Sequence, residues 1–249
     1  MLTDSHCHLT KEYYDNINEV IDEAKRNKVT RYINIGCDKF SMREVIDLIK
    51  TEDYMYGSIG IHPNEIYDTE EKDYNYIVEN LDNKKIIAIG EIGLDYHYRS
   101  DDKKNQQKWF ERQLKLATKN NKPVIIHSRD ATEDTIKILK KYNLKGIIHS
   151  FSGSYETATE YIKMGYVLGI NGVVTFKNSK LKEVIKKLAL EYIVLETDSP
   201  YLTPEPKRGT KNEPKYILEI ARFISNLKGT SVEELSEITN KNLRRIFDI

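Results

Sequence analysis

Two cysteines in 249 residues, Cys7 and Cys37, are too few for a disulfide framework, and both read as free packing thiols in a reducing compartment. An excess of charge of either sign is also missing. Lys+Arg and Asp+Glu both number 39, so the formal net charge is +0 and no global field draws the chain to nucleic acid or to a membrane. A polyanion must then be held by a local site. No apolar run approaches the roughly 18 residues of a membrane span. Polar "TDSHCH" follows Met1-Leu2 directly, where a secretory signal would carry a basic stretch and then an apolar one. The expectation is a cytoplasmic protein without membrane contact. Linkers, low-complexity tracts and internal repeats are absent too, which points to one domain over 1–249.

What is present is a regular alternation. Short β-rich runs stand at 2–8, 31–36, 55–62, 85–93, 123–128, 146–151, 166–170 and 192–198. Several of the segments between and after them place apolar residues at helical spacing, as in Ile17, Val20, Ile21, Ala24 or Tyr74, Ile77, Val78, Leu81. Leu181, Val184, Ile185, Leu188 and Ile217, Ile220, Ala221, Ile224 repeat the pattern. Ser41-Met42-Arg43-Glu44 and Ser231-Val232-Glu233-Glu234 read as capping boxes. Near-continuous apolar strands alternating with helices predict a parallel sheet, closed most simply as a (β/α)8 TIM barrel. The alternative, an open doubly wound sheet, lacks its Gly-rich fingerprint after the first strand.

The rare side chains fall at the strand ends. Of 6 histidines, His6 and His8 close the first predicted strand, just after the carboxylate Asp4, and His62, His127 and His149 close the third, fifth and sixth. Glu91 sits near the end of the fourth and Asp198 at the end of the eighth. In a parallel barrel these ends share one face, where barrel enzymes carry their sites. The strand period of two sends His6 and His8 to one side and Cys7 to the other. Taken singly, each has a plainer reading: Glu91 as a turn cap, Asp198 as an Asx turn before Ser199-Pro200, His97 as a loop histidine. Together they exceed what one four-coordinate ion takes, and they suit two ions with a shared carboxylate. An imidazole-rich set favours Zn, Mn, Co or Ni over Mg.

The chain resembles the TatD family of metal-dependent deoxyribonucleases, within the amidohydrolase-like barrels. The resemblance rests on "DSHCHL" (4–9), "GIHP" (60–63), "GEIGLDY" (90–96), "QLKLATKNNKPVIIHSRDA" (113–131), "HSFSG" (149–153), "GYVLGINGVVTFK" (165–177), "ETDSPYLTP" (196–204) and "RGTKNEP" (208–214). It implies two divalent ions (Zn, Mn, Mg, Co or Ni), with His6, His8 and Asp198 on one, His127 and His149 on the other, and Glu91 between them. It implies Asp198, Glu91 and His62 as the catalytic group, with Asp198 accepting a proton and His62 touching water or phosphate. Arg129 either steadies a phosphate or forms a structural ion pair. The implied activity is hydrolysis of DNA phosphodiesters, acting on single strands or strand ends as suits a neutral chain, with no obligate protein partner. Two other readings remain: an ester or amide hydrolase such as a D-aminoacyl-tRNA deacylase, and a non-catalytic barrel with structural metal.

Overall fold

The computed structural model describes residues 1–98 and 100–249. Eight strands form one sheet in sequence order: β1 (Leu2–Cys7), β2 (Val29–Gly36), β3 (Met55–Ile59), β4 (Ile86–Asp95), β5 (Val124–Arg129), β6 (Gly146–Ile148), β7 (Tyr166–Ile170) and β8 (Ile193–Leu195). Neighbouring strands pair in parallel from β1 to β8. The ring closes where Cys7 bridges Ser199, with His8 N donating to Ser199 O at 2.8 Å and Asp198 N to His6 O at 2.9 Å. This is the expected (β/α)8 TIM barrel.

Helices α1 (Ile17–Arg26), α2 (Ser41–Thr51), α3 (Glu71–Asn80), α4 (Lys103–Lys119), α5 (Thr132–Leu139), α6 (Tyr155–Lys163), α7 (Leu181–Lys187) and α8 (Ile217–Lys228) follow the strands in turn. Their apolar stripes do what the spacing predicts: Val20, Ile21 and Ala24 are buried in α1, and Ile217, Ile220, Ala221 and Ile224 in α8. Val78 is an exception, exposed on α3. Asp38, not Ser41, caps α2. Ser41 already lies inside the helix, and the Asp38 carboxylate accepts from Phe40 N (2.7 Å) and Ser41 N (3.2 Å). Ser231 caps as expected, accepting from Glu234 N at 3.0 Å, and opens a further helix, α9 (Val232–Phe247).

That helix decides which end of the barrel is free. Leu243, Ile246 and Phe247 of α9 join the interior cluster of Ile33, Ile35, Ile87, Ile125, Ile147, Val167 and Val194. Asn242 Nδ2 donates to Ile193 O at 2.8 Å, at the start of β8. The N-terminal mouth is therefore plugged, and the C-terminal mouth holds a cavity of about 640 Å³.

Several strands end earlier than the sequence suggests. β3 stops at Ile59, β6 at Ile148 and β8 at Leu195, so His62, His149 and Asp198 lie one to three residues beyond them. Backbone pairing continues there in part, as His62 N donates to Cys37 O and His149 N to Ile126 O, both at 3.0 Å, and side-chain amides complete it. Gln113 of α4 clamps Ile61 through its N–H (2.7 Å) and carbonyl (3.0 Å), and Gln106, two turns earlier, clamps Asp95 at 2.8 Å on both groups. Asn34 does the same for Leu9, and Asn212 donates to Thr197 O at 2.9 Å. Buried backbone groups that leave a sheet need partners, and these amides supply them.

Candidate metal centre

His6 and His8 leave β1 on the same side, with their Nε2 atoms 3.2 Å apart, while Cys7 points outward and its thiol faces Ile33 O. Asp198 Oδ1 lies 3.7 Å from His6 Nε2 and 3.5 Å from His8 Nε2. Ligand atoms around a four-coordinate ion at about 2.0–2.1 Å stand roughly 3.3 Å from one another, so these three fit one divalent cation. Glu91 occupies the middle. Its Oε2 is 3.3 Å from His6 Nε2, and its Oε1 is 2.7 Å from His127 Nδ1 and 3.7 Å from both His149 Nε2 and His62 Nε2. The expected set of His6, His8, Glu91, His127, His149 and Asp198 thus comes together around one carboxylate.

His62 joins with its other ring nitrogen turned away from the centre and occupied. The Asn64 N–H donates to His62 Nδ1 at 3.2 Å, which assigns the ring proton to Nε2, the atom that faces Glu91. Such a ring offers a donor to the cavity and no lone pair. Burial and neighbouring His127 push its pKa down to about 3, so it stays neutral.

Two carboxylates that the sequence reading passed over orient the rings. Asp95 Oδ2 is 3.1 Å from His127 Nε2, leaving Nδ1 for the centre. Glu196 Oε1 lies 3.0 Å from His149 Nδ1 as an ion-pair contact outside hydrogen-bond geometry, leaving Nε2 for the centre, and it accepts from Ser150 N at 2.6 Å. Metal-binding histidines are commonly fixed this way, by a carboxylate on the ring nitrogen away from the ion. Glu196 fits only because β7 carries Gly169 beside it, where an added Cβ would lie 2.0 Å from Glu196 Oε2. Asp4 stays out of the centre. It accepts from His6 N (3.2 Å) and Thr197 N (2.9 Å), tying β1 to the segment that carries Asp198.

Burial works against charge throughout the centre, and its members charge one another. Burial opposes ionisation of Glu91, yet His149, His127 and His6 hold its carboxyl well below the usual range. Burial likewise opposes ionisation of Asp198, and His149 and His8 lower its pKa. His149 loses to burial but gains more from Glu196, Glu91 and Asp198, which push its pKa up to about 10. His6, stacked on it with ring centroids 3.5 Å apart, is pushed down by burial and by His149. Two such rings cannot both be cations. Imidazole nitrogens crowded this closely around two carboxylates held ionised are the donor chemistry of a divalent-ion site.

Asp198 is not an Asx turn: its side chain faces the imidazoles, and its backbone sits in the left-handed region (φ 56). Cys37, expected to pack, instead lines the cavity with Sγ 3.7 Å from His8 Nδ1, and both cysteines are free. Arg129 also lines the cavity, its guanidinium 4.9 Å from the Tyr98 ring, and among the described residues it has no carboxylate within ion-pair distance. His97 keeps its loop role, 3.0 Å from Asp130. Among the described residues no helix is long and apolar enough to cross a membrane.

Comparison with known proteins agrees with this architecture. The family model described as TatD related DNase matches residues 3–248. The chain is 43% identical to the Bacillus subtilis protein named as the uncharacterized metal-dependent hydrolase YabD, covering 100% of each. It is 33% identical to the Escherichia coli K12 protein named as the uncharacterized metal-dependent hydrolase YcfH, covering 100% of this chain and 96% of that one. The crystal structure of YJJV, a TatD homolog from Escherichia coli K12, superposes with a TM-score of 0.94 at 26% identity over 100% of this chain and 98% of that one. The chain belongs to the TatD-related DNase family.

Proposed function

We propose that the protein hydrolyses phosphodiester bonds of DNA at strand ends, using a water activated between two divalent ions. One observation carries this reading: Glu91 faces His6 with one oxygen and His127 and His149 with the other, so a single carboxylate serves two groups of imidazoles on the free rim. His6, His8 and Asp198 would hold one ion and His127 and His149 the other, with Glu91 shared. Ions held there would supply a lowered pKa for water and neutralise charge on phosphoryl oxygens.

The chain's own groups account for the rest. Asp198 stays ionised, because His149 and His8 lower its pKa against burial, and its Oδ1 lies 3.5–3.7 Å from three imidazoles. It is therefore free to accept the proton of the attacking water. His62, with its proton on Nε2, donates a hydrogen bond to a phosphoryl oxygen or to water. Arg129 supplies a cation at the wall of a cavity whose protein has no net charge, and it holds the phosphate of the next nucleotide. A cavity of about 640 Å³ suits a strand end better than a duplex.

The competing reading is hydrolysis of a carboxylic ester such as that of D-aminoacyl-tRNA. Metal-reconstituted protein assayed side by side on single-stranded DNA, RNA and D-aminoacyl-tRNA separates the two. Release of nucleotides from DNA is expected. Deacylation without any phosphodiester cleavage overturns the reading.

A further inference from the structure

Two exposed tyrosines flank the centre, and each stands three residues beyond one of its carboxylates. Tyr201 follows Asp198, and its N–H donates to Asp198 O at 2.8 Å. Tyr98 follows Asp95, and its N–H donates to Asp95 Oδ1 at 3.3 Å. Both line the cavity, yet Tyr201 is 48% and Tyr98 64% exposed. Aromatic rings exposed at the rim of a polar cavity offer a stacking surface to a ligand that has an apolar face.

Each ring is also held in place. The Tyr201 hydroxyl donates to the Tyr13 hydroxyl at 2.8 Å, the two rings meet edge to face at 5.7 Å, and the His8 ring lies 6.2 Å away. On the other flank the Arg129 guanidinium sits 4.9 Å from the Tyr98 ring centroid, and the His97 ring meets it edge to face at 5.0 Å. A ring whose position is already set loses little freedom when a partner stacks on it.

We infer that Tyr98 and Tyr201 are stacking platforms for the nucleobases on either side of the scissile phosphodiester, so that the substrate is a polynucleotide end recognised by its bases without regard to sequence. The inference rests on the DNA reading above and adds the substrate's recognition to it. Stacking suits the location, because every base presents a π face and, on the DNA reading, the centre itself would meet only phosphate and water. Arg129 beside Tyr98 completes a unit in which one residue meets the base and the other the phosphate that follows it. Both tyrosines act on binding, so their removal raises KM more than it lowers kcat.

The test compares a single-stranded oligodeoxynucleotide with an oligomer of the same length built wholly of abasic units. The wild type, Tyr98→Ala, Tyr201→Ala and the two Tyr→Phe variants are all assayed metal-reconstituted. A preference of about 10- to 100-fold in kcat/KM for the intact strand is expected in the wild type, falling roughly 5-fold or more in each alanine variant and kept in the phenylalanine variants. Anisotropy with cleavage-resistant phosphorothioate versions of both strands reads binding without turnover. Equal binding and cleavage of intact and abasic strands by the wild type overturns the platforms, as does an alanine penalty of the same size on both. Preferential binding of the intact strand, lost in the alanine variants, supports the platforms even where no strand is cleaved; that last result overturns the hydrolysis reading instead.

Discussion

Asp95 Oδ2 lies 3.1 Å from His127 Nε2, and this contact turns the other ring nitrogen, Nδ1, toward Glu91. Asp95 is itself anchored, with Gln106 holding its backbone on both sides. Removing the carboxylate leaves the His127 ring free to swap tautomers and to rotate. Asp95→Ala is expected to weaken metal binding by about 10- to 100-fold, the usual effect of losing such an orienting carboxylate, while circular dichroism stays that of the wild type. Competition against a chromophoric chelator measures it. Unchanged affinity would show that Asp95 does not orient the ligand.

Asp95 and Glu196 also show where the sequence was readable and where it was not. His6 and His8 stood out because two rare residues at strand spacing share a face. The same spacing links Glu196 to Asp198 and runs from Glu91 to Asp95, but acids are common here, 39 in all, and an extra carboxylate carries little surprise. Barrel, strand order and ligand candidates were legible, since all follow from alternation and periodicity. The β-rich run to His62 outlasts β3, which stops at Ile59, but the backbone still pairs beyond it: Gly60 N donates to Gly36 O and His62 N to Cys37 O, both at 3.0 Å, while Gln113 clamps Ile61 between them. Cys37 follows the predicted strand 31–36 directly, so the rule that strand ends share the site face already puts it at the cavity, although a lone cysteine reads as packing. The cap of α2 moved to Asp38 because a carboxylate two and three residues ahead of the first amides serves both, and a serine inside the helix cannot.

Loading the centre should release protons. In the metal-free protein, Glu196, Glu91 and Asp198 push the His149 pKa up to about 10 despite burial, so at neutral pH this ring carries a proton that a metal must displace. The sign follows: lower pH favours the proton and weakens metal binding, and higher pH strengthens it until the ring is neutral. Apparent affinity is expected to rise about tenfold per pH unit between pH 6 and 8 for each proton displaced. Isothermal calorimetry in buffers of different ionisation enthalpy counts those protons. A binding enthalpy indifferent to buffer would contradict a protonated His149.

Chelation is expected to abolish hydrolysis without unfolding the chain. The interior cluster of β-strand residues and α9 lies at the plugged end of the barrel and owes nothing to the rim. Far-ultraviolet circular dichroism before and after chelator checks this. Loss of the helical signal together with activity would favour a structural metal.

His6→Ala and His8→Ala are each expected to lower metal content as well as activity, because their Nε2 atoms face the same point beside Asp198. Elemental analysis of the purified variants decides the matter. His62→Ala is the contrast, since a ring whose proton sits on Nε2 offers no lone pair there. It should keep the wild-type metal load and lose turnover. Loss of metal from His62→Ala would instead make His62 a ligand.

Asp198→Asn separates ligand from base. Asn keeps the size and one oxygen that can still coordinate, and it tolerates the left-handed backbone that Asp198 adopts at φ 56. It lacks the charge that the surrounding imidazoles stabilise and that makes the carboxylate a proton acceptor. Metal occupancy should therefore fall less than turnover. General-base contributions typically amount to 10² to 10⁴-fold, and a loss of about that size in kcat is expected with KM changed far less. A side chain that served only the turn into Ser199-Pro200 would give a different result, because Asn makes the same turn. Steady-state kinetics on the metal-reconstituted variant distinguishes the two, and a kcat within about threefold of wild type would remove Asp198 from the proton transfer.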